Sequence, residues 1–441
     1  MLPPDVLVVG GGPAGVAAAV ALSGMGLRVM LAEQRDRLGG AIHRAYAGAG
    51  PSPIQRNAHH QRCWQALLDQ VSQAGERLTL QLQSVFLGVE GDGRYLLDDR
   101  VAGCVRSVRP KAVVMAVGGV ERLLPVPGWE LPGVSTVGGM QVQLKETGEA
   151  PQGRILVAGS GPLPLAFAAQ LAAAGNPPLA LLERGTPFGM ALLQPAAAMA
   201  GLRSGPQLVE ALGYASQLLR FGVPYRTGCT VTAIEAVPQG LRVAVVDRHG
   251  RTLVYEVAHL ALHDGLEPNQ TGLPRQVVAG LPVVWAGDCR EVLGADAAIH
   301  DGRRAEPQVA KALGHPCPDA AFDGKLDAAR RLQSALRTLY QAPAPAITPE
   351  TVLCRCEGLR AASATALQGA ASAHEIRVVG RYAMGPCQGR FCARNAQALA
   401  AQTGVSFEPQ DLHGSVPRWP LRPVSVAALA AYTDESSALS R

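Results

Sequence analysis

Aromatic residues are scarce, at 4% of the 441-residue chain, whereas there are 50 glycines and the aliphatic content is high. A core without large rings suits thin, tightly packed α/β layers joined by glycine turns. Charge of one sign is also missing. Lys plus Arg outnumber Asp plus Glu by only 40 to 35, and from residue 346 onward nine Arg face seven acids with no Lys. So diffuse a surplus excludes a nucleic-acid footprint. No basic segment precedes an apolar run near residue 1, so the expectation is a chain without a secretory leader, in the cytoplasm. The longest uncharged run, the 28 residues 155–182, has the length of a membrane span. Gly-Ser-Gly-Pro interrupts it early and Gly-Asn-Pro-Pro late, so it reads instead as a βαβ unit. Nine cysteines without a leader point to thiols or metal ligands in a reducing compartment. The length allows two or three domains.

The chain is organised around residues 5–40. An apolar strand over 5–9 runs into Gly10-Gly11-Gly12-Pro13-Ala14-Gly15, followed by an Ala/Val-rich helix over 16–23 and a second strand over 28–32 that ends at Glu33. In this strand–turn–helix–strand, Gly10 permits the tight turn, Gly12 lets backbone N–H groups approach a pyrophosphate, and Gly15 lets helix and strand pack closely. The helix N-terminus offers its positive end to the phosphates. Glu33, 18 residues past Gly15, stands where a carboxylate accepts from ribose hydroxyls. The pattern by itself implies a dinucleotide without saying which.

Two further strands narrow the choice. Residues 112–117 are apolar and end in Gly118-Gly119, and residues 283–286 end in Gly287-Asp288. In this order the pieces resemble the flavoprotein disulfide reductase superfamily. The resemblance implies FAD. It would be held by Gly10, Gly12, Pro13, Ala14 and Gly15 of the turn, by Glu33, Gln34 and Arg35 at the ribose end, by Gly39 and Gly40 of the flavin-side loop, by Ala116, Val117 and Gly118, and by Gly287, Asp288 and Ala295. Asp288 would hold the ribityl chain, and the helix beginning near Gly294 and Ala295 would face the cofactor. No Cys pair follows Gly40 and no C-x-x-C occurs at 130–145, so disulfide reduction is not expected. Cys63, Cys104, Cys229, Cys289 and Cys317 stand alone and read as small buried thiols. His59-His60 shows no ligand partner at useful spacing and reads as a polar helix start or loop. Between Asn269 and Gly287 there are only 17 residues, as though a hairpin over the flavin edge were missing.

A second unit starts with a strand over 154–158, then Gly159-Ser160-Gly161-Pro162-Leu163-Pro164, a helix to 174 and a strand ending at Glu183-Arg184. Proline fits the first turn of a helix, where its missing N–H has no intrahelical partner, but it denies the close approach that glycine gives. Gly159, Gly161, Pro162, Leu163, Glu183 and Arg184 are the expected contacts of a second nucleotide, NAD or ATP/ADP. A second fold kept for structure alone is the other reading. Alternating strands follow over 223–262, and an amphipathic helix over 323–340 leads to the Pro-rich linker 341–345. Trp129, in a Pro/Gly loop, must pack on something.

Beyond the linker, Cys354-Arg355-Cys356 is followed after 30 residues by Cys387 and Cys392. Four thiolates are the usual ligands of a [2Fe–2S] cluster. Structural zinc favours C-x2–4-C pairs, so the tight C-x-C argues against it, with zinc or unliganded thiols as the alternatives. The segment, with Gly385-Pro386 and Gly389, resembles the bacterioferritin-associated-ferredoxin-like [2Fe–2S] domain; helices are expected over 360–369 and 393–402. A Pro-rich tail at 418–424 should pack over its own chain or a partner.

The expected fold class is therefore α/β. A discontinuous FAD domain spans 1–118 and 258–320, a second nucleotide-binding domain 119–257, helix and linker 321–345, a small helical cluster domain 346–405 and a tail 406–441. The order of parts, the segment around Pro127-Gly128-Trp129, Gly138-Gly139-Met140-Gln141 and the tail resemble the FAD-containing A or B subunits of bacterial opine oxidase, hydroxyproline dehydrogenase and hydrogen cyanide synthase. That resemblance implies an electron-transfer subunit whose partner, a second flavin subunit, oxidises the amine or amino acid. A small ferredoxin-like subunit would be a further partner. The resemblance also allows a peripheral place at the inner membrane through the complex. The rivals are a self-sufficient NADH-dependent reductase and a non-catalytic scaffold. The sequence assigns no catalytic residue.

Overall fold

The computed structural model describes residues 3–50, 52–54, 57–274, 277–316, 323–343, 347–363, 372–402, 406–408, 411–412 and 419–434. Cys317 and most of the helix expected over 360–369 lie outside them.

Two parallel sheets carry the molecule. The first has the strand order Val277–Val278, Leu281–Trp285, Ala112–Met115, Val6–Val9, Val29–Ala32, Leu78–Gln81. All neighbours are parallel except the short hairpin Val277–Val278/Leu281–Trp285. The central strands read as continuous Val, Leu and Met runs because both faces are covered. Helix α1 (Pro13–Gly24) packs on one face, beside the amphipathic α2 (Ala58–Gln73), which Asn57 caps by accepting from His59 N and His60 N. The chain winds outward from Val6–Val9 in both directions, so the crevice at the carboxyl ends of Val6–Val9 and Ala112–Met115 is the topological switch point, where open α/β sheets bind ligands.

The second sheet has the order Tyr225–Thr227, Leu181–Glu183, Ile155–Gly159, His259–His263, Val134–Thr136, all parallel. It carries α3 (Val137–Thr147), α4 (Pro162–Ala173), and then α5 (Pro187–Leu193), α6 (Pro195–Leu202) and α7 (Gly205–Arg220). An antiparallel layer, Thr230–Val237, Gly240–Val246 and Thr252–Val257, buries Val231, Leu241, Val243 and Val245 against it. The expected boundary at 258 is corrected here. His259–His263 pairs with Ile155–Gly159, so the second unit runs through His263 before the chain returns to the first sheet.

The return passes a two-stranded bridge, Gly119–Glu121 with Leu266–Pro268, to α8 (Ala295–Ala312). α8 lies on α1 at a close approach: a Cβ on Gly302 would overlap the carbonyl of Ala14. The hairpin that looked missing after Asn269 is present but only two residues wide on its first arm. Its cover comes from the tail, where Leu421 is buried against Gly272 and Leu273. Helix α9 (Gly324–Leu339) matches the amphipathic stretch at 323–340.

The C-terminal unit has its own small core around Leu353, Ile376, Tyr382, Ala396 and Phe407. It is built from the hairpin Val352–Cys354/Leu359–Arg360, α10 (Ala373–Val378) and α11 (Ala393–Gln402). The helix expected to begin at Arg360 is corrected, since Arg360 ends a strand paired with Val352; α11 has the expected bounds. The tail packs on its own chain. Its α12 (Val426–Ala430) buries Ala428 on an antiparallel sheet of Ser84–Val89, Tyr95–Asp99 and Cys104–Val108, to which Thr433–Asp434 adds a parallel fourth strand beside Cys104–Val108. No helix among the described residues is long and apolar enough to cross a membrane.

Candidate cofactor sites

At the first turn, Gly10 has φ 108°, a conformation that L side chains rarely adopt, and a Cβ there would overlap the carbonyl of Ala116. A Cβ on Gly15 would overlap the carbonyl of Gly10. Gly12 differs: its missing Cβ faces open space, with only Gly40 Cα at 3.8 Å. Gly10 and Gly15 are therefore required by the protein's own backbone, and Gly12 is not. Pro13 starts α1, and Pro13, Ala14 and Gly15 are buried. Glu33, 5% exposed, accepts from Gly11 N at 2.6 Å and from Arg35 N at 2.9 Å. Its carboxylate thus braces the turn from the end of Val29–Ala32. Gly39 N donates to Gly11 O at 2.9 Å, which brings the Gly39-Gly40 loop over the turn. A cleft beside it is lined by Arg35, Gly40, Arg44, Tyr46 and Glu146; Gln34 lies on the exposed rim.

Across the crevice, Ala116, Val117 and Gly118 leave the strand Ala112–Met115. Gly287 N donates to Asp301 at 2.7 Å, and Asp301 also accepts from Arg290 (2.6 Å) and Arg304 (2.6 Å). Burial pushes the Asp301 carboxyl up, but the two guanidinium hydrogen bonds outweigh it and hold it below the usual range. Asp301 thereby fixes the Gly287-Asp288 turn, a role that no local motif marks. Burial raises the half-buried Asp288 carboxyl, against hydrogen bonds from Leu293 N and Gly294 N, and Ala295 opens α8 beside it. Cys289 donates to Met115 O at 3.0 Å and burial pushes its thiol up to about 11; it is a structural thiol, as Cys104 and Cys229 are by their burial. Another residue that local motifs do not mark is Lys145, buried in α3, whose Nζ donates to Ala41 O and Ile42 O, just past Gly39-Gly40, each at 3.4 Å.

The second turn repeats the geometry of the first. A Cβ on Gly159 would overlap the carbonyl of His263, and Glu183 accepts from Gly161 N at 3.0 Å and Gly185 N at 2.7 Å. Pro162 and Leu163 start α4, with Pro164 buried behind them. The difference lies at the rim. Ser160 Oγ donates to Tyr340 O at 2.7 Å, the Arg184 guanidinium pairs with Asp264 and donates to Pro343 O, and a Cβ on Gly185 would stand 3.2 Å from the carbonyls of Tyr340 and Gln341. The end of α9 and residues 341–343 thus lie across the rim of this turn, beside Glu183, itself 2% exposed.

In the C-terminal unit the cysteines meet in two pairs, Cys354 with Cys392 and Cys356 with Cys387. The contact with Cys392 draws the Cys354 thiol down, while that of Cys392 is driven up. Ala383 N points at Cys392 Sγ (3.3 Å), and a Cβ on Gly385 would overlap that of Cys356. Trp129 anchors the unit: it is 6% exposed, its Nε1 donates to Val352 O at 2.6 Å, and Arg355 lies over its ring.

Residues 4–289 match the pyridine nucleotide-disulphide oxidoreductase family. The A subunit of opine oxidase from Rhizobium meliloti (strain 1021) is 31% identical over 465 residues, covering 97% of this chain and 98% of that one. The HcnB subunit of hydrogen cyanide synthase from Pseudomonas aeruginosa is 30% identical over 467 residues, covering 96% and 97%. Among solved structures, L-proline dehydrogenase from P. horikoshii superposes with a TM-score of 0.60 at 17% identity, over 97% of this chain and 79% of that one, a likeness of fold. The molecule has an FAD-binding oxidoreductase fold. The chain belongs to the pyridine nucleotide-disulphide oxidoreductase family, among the oxidoreductase subunits that include HcnB and the A subunit of opine oxidase.

Proposed function

We propose that this chain is the FAD- and [2Fe–2S]-containing electron-transfer subunit of a heteromeric dehydrogenase or oxidase acting on amines or amino acids of the opine, hydroxyproline, proline or glycine type. Substrate oxidation belongs to a second flavin subunit. The observation that carries this reading is the linker across the second nucleotide turn. With Ser160, Arg184 and Gly185 engaged by Tyr340, Gln341 and Pro343, hydride from NADH has no evident entry, which favours electrons from a partner subunit over a self-sufficient NADH reductase.

The residues present fit the groups. Open space over Gly12 and the braced Glu33 suit a pyrophosphate and ribose, and Asp288 at the start of α8 suits the ribityl end. Two pairs of thiols suit two irons with two thiolates each, held by Cys354, Cys356, Cys387 and Cys392. Bound there, the flavin would supply exchange between electron pairs and single electrons, and the cluster a one-electron relay. The chain's residues would hold and orient both. Exposed apolar side chains along α5–α7, among them Leu192 (86%), Leu219 (82%) and Phe188 (70%), support a partner-covered surface.

One preparation tests the reading. Purified anaerobically, the chain should carry FAD and about two irons with two acid-labile sulfides, and anaerobic mixing with NADH should leave the flavin oxidised. Rapid bleaching by NADH would favour the reductase. Zinc on the four C-terminal cysteines without sulfide would sink the cluster.

A further inference from the structure

The polar start of α2 has a partner that its sequence spacing does not reveal. His59 and Cys63 are one helical turn apart, so both side chains project from the same face. Cys63 Sγ lies 3.7 Å from His59 Nε2. Asp296, in the first turn of α8, brings Oδ2 to 3.4 Å from the same nitrogen. The three ligand atoms all lie within 4.8 Å of one another, a grouping that forms among the described residues outside the cysteine frame.

We propose that His59, Cys63 and Asp296 form a binding site for a borderline-soft divalent cation, with Zn2+ the best match. Zinc bond lengths of about 2.0–2.3 Å in a tetrahedron put ligand atoms about 3.3–3.7 Å apart. Two of the separations already have that length and the third is within 4.8 Å, so closing on an ion is chiefly a side-chain adjustment. The ligand types decide the metal class. Imidazole, thiolate and carboxylate together suit zinc, whereas magnesium and calcium take oxygens. His60 supplies the outer partner that metal-bound carboxylates usually have, with Nε2 3.6 Å from Asp296 Oδ2. An ion pair alone would account for two imidazoles on one carboxylate, but it leaves the thiol at the same apex without a role. Three protein ligands leave a fourth position for water or another ligand, and an entry path exists because the His59 side chain is 52% exposed and that of Asp296 33%. An ion here would clamp the start of α2 to the start of α8, the helix that opens beside Asp288.

The test uses Co2+ as a coloured probe on the full chain as purified, reduced and anaerobic. One equivalent should bind with a thiolate-to-cobalt charge-transfer band. Cys63→Ser should abolish that band, and His59→Ala and Asp296→Asn should each weaken binding at least tenfold. Cys229→Ser, a control at a buried thiol outside both sites, should leave the band in place. Flavin content and circular dichroism report folding of each variant. A second measurement needs no variant: Zn2+ should slow alkylation of Cys63 at least tenfold, read on its peptide by mass spectrometry, and a chelator should restore the rate. An unchanged band in Cys63→Ser, or a Cys63 alkylation rate indifferent to Zn2+, would overturn the site.

Discussion

At the scale of the residue, position 12 separates binding from folding. Gly10 and Gly15 are demanded by neighbouring carbonyls, so a side chain there damages the turn itself. Gly12 faces open space, so Gly12→Arg should leave the fold intact while placing a long side chain where a pyrophosphate would lie. The expected result is a well-folded protein with more than tenfold less bound FAD by its visible absorbance, and full flavin retention would remove the site from this turn. Asp301 makes a second prediction. Its carboxylate holds Gly287 N, Arg290 and Arg304, and Asp301→Asn should cost about 2–3 kcal/mol, the scale of hydrogen bonds to charged groups. Because the folded carboxyl titrates below its unfolded value, this stabilisation is fully present above the unfolded pKa of about 4 and is lost as pH falls through the folded value. Chemical denaturation of wild type and variant should therefore give a constant gap above about pH 5 that narrows on acidification. A gap that widened in acid would contradict the assignment.

At the scale of the element, Trp129 joins the second unit to the C-terminal one through a hydrogen bond to Val352 O. Trp129→Phe keeps most of the packing and leaves that buried carbonyl unpaired, which costs about 1–3 kcal/mol. Hydrogen exchange should accelerate in Val352–Cys354 with little change in Val6–Val9, and equal acceleration in both would show that the anchor is not local. Elements were legible where the signal was local. The strand–turn–helix at Gly10 to Gly15, its repeat at Gly159, the strands over 230–257 and the helix over 323–340 follow from glycine positions, capping and hydrophobic period. What escaped is non-local. His259–His263 has the same apolar character as a strand of the first sheet, and only its pairing with Ile155–Gly159 assigns it to the second. The contacts of Tyr340 and Pro343 with Ser160 and Arg184, and of Asp296 with His59, join residues far apart in the chain, and no spacing rule reaches that distance.

At the scale of the whole molecule, the proposed function divides labour between this chain and a partner subunit. Two Rossmann-like units face their carboxyl ends toward different occupants, one toward an open, braced crevice and the other toward the chain's own linker. A cysteine frame anchored through Trp129 sits on the second unit. Oxidising an amino acid would require its α C–H bond held against a flavin, with the carboxylate clamped, usually by arginine. Among the guanidinium groups around the crevice, Arg290 and Arg304 are held by Asp301, and Arg35 and Arg44 lie beside Glu146. The most direct test is a dye-linked assay of the isolated chain, its FAD and cluster confirmed, against proline, hydroxyprolines, glycine and opines, side by side with the complex reconstituted from its partner subunit. The isolated chain should show no turnover above background while the complex turns over; turnover by the isolated chain comparable to that of the complex would contradict the account.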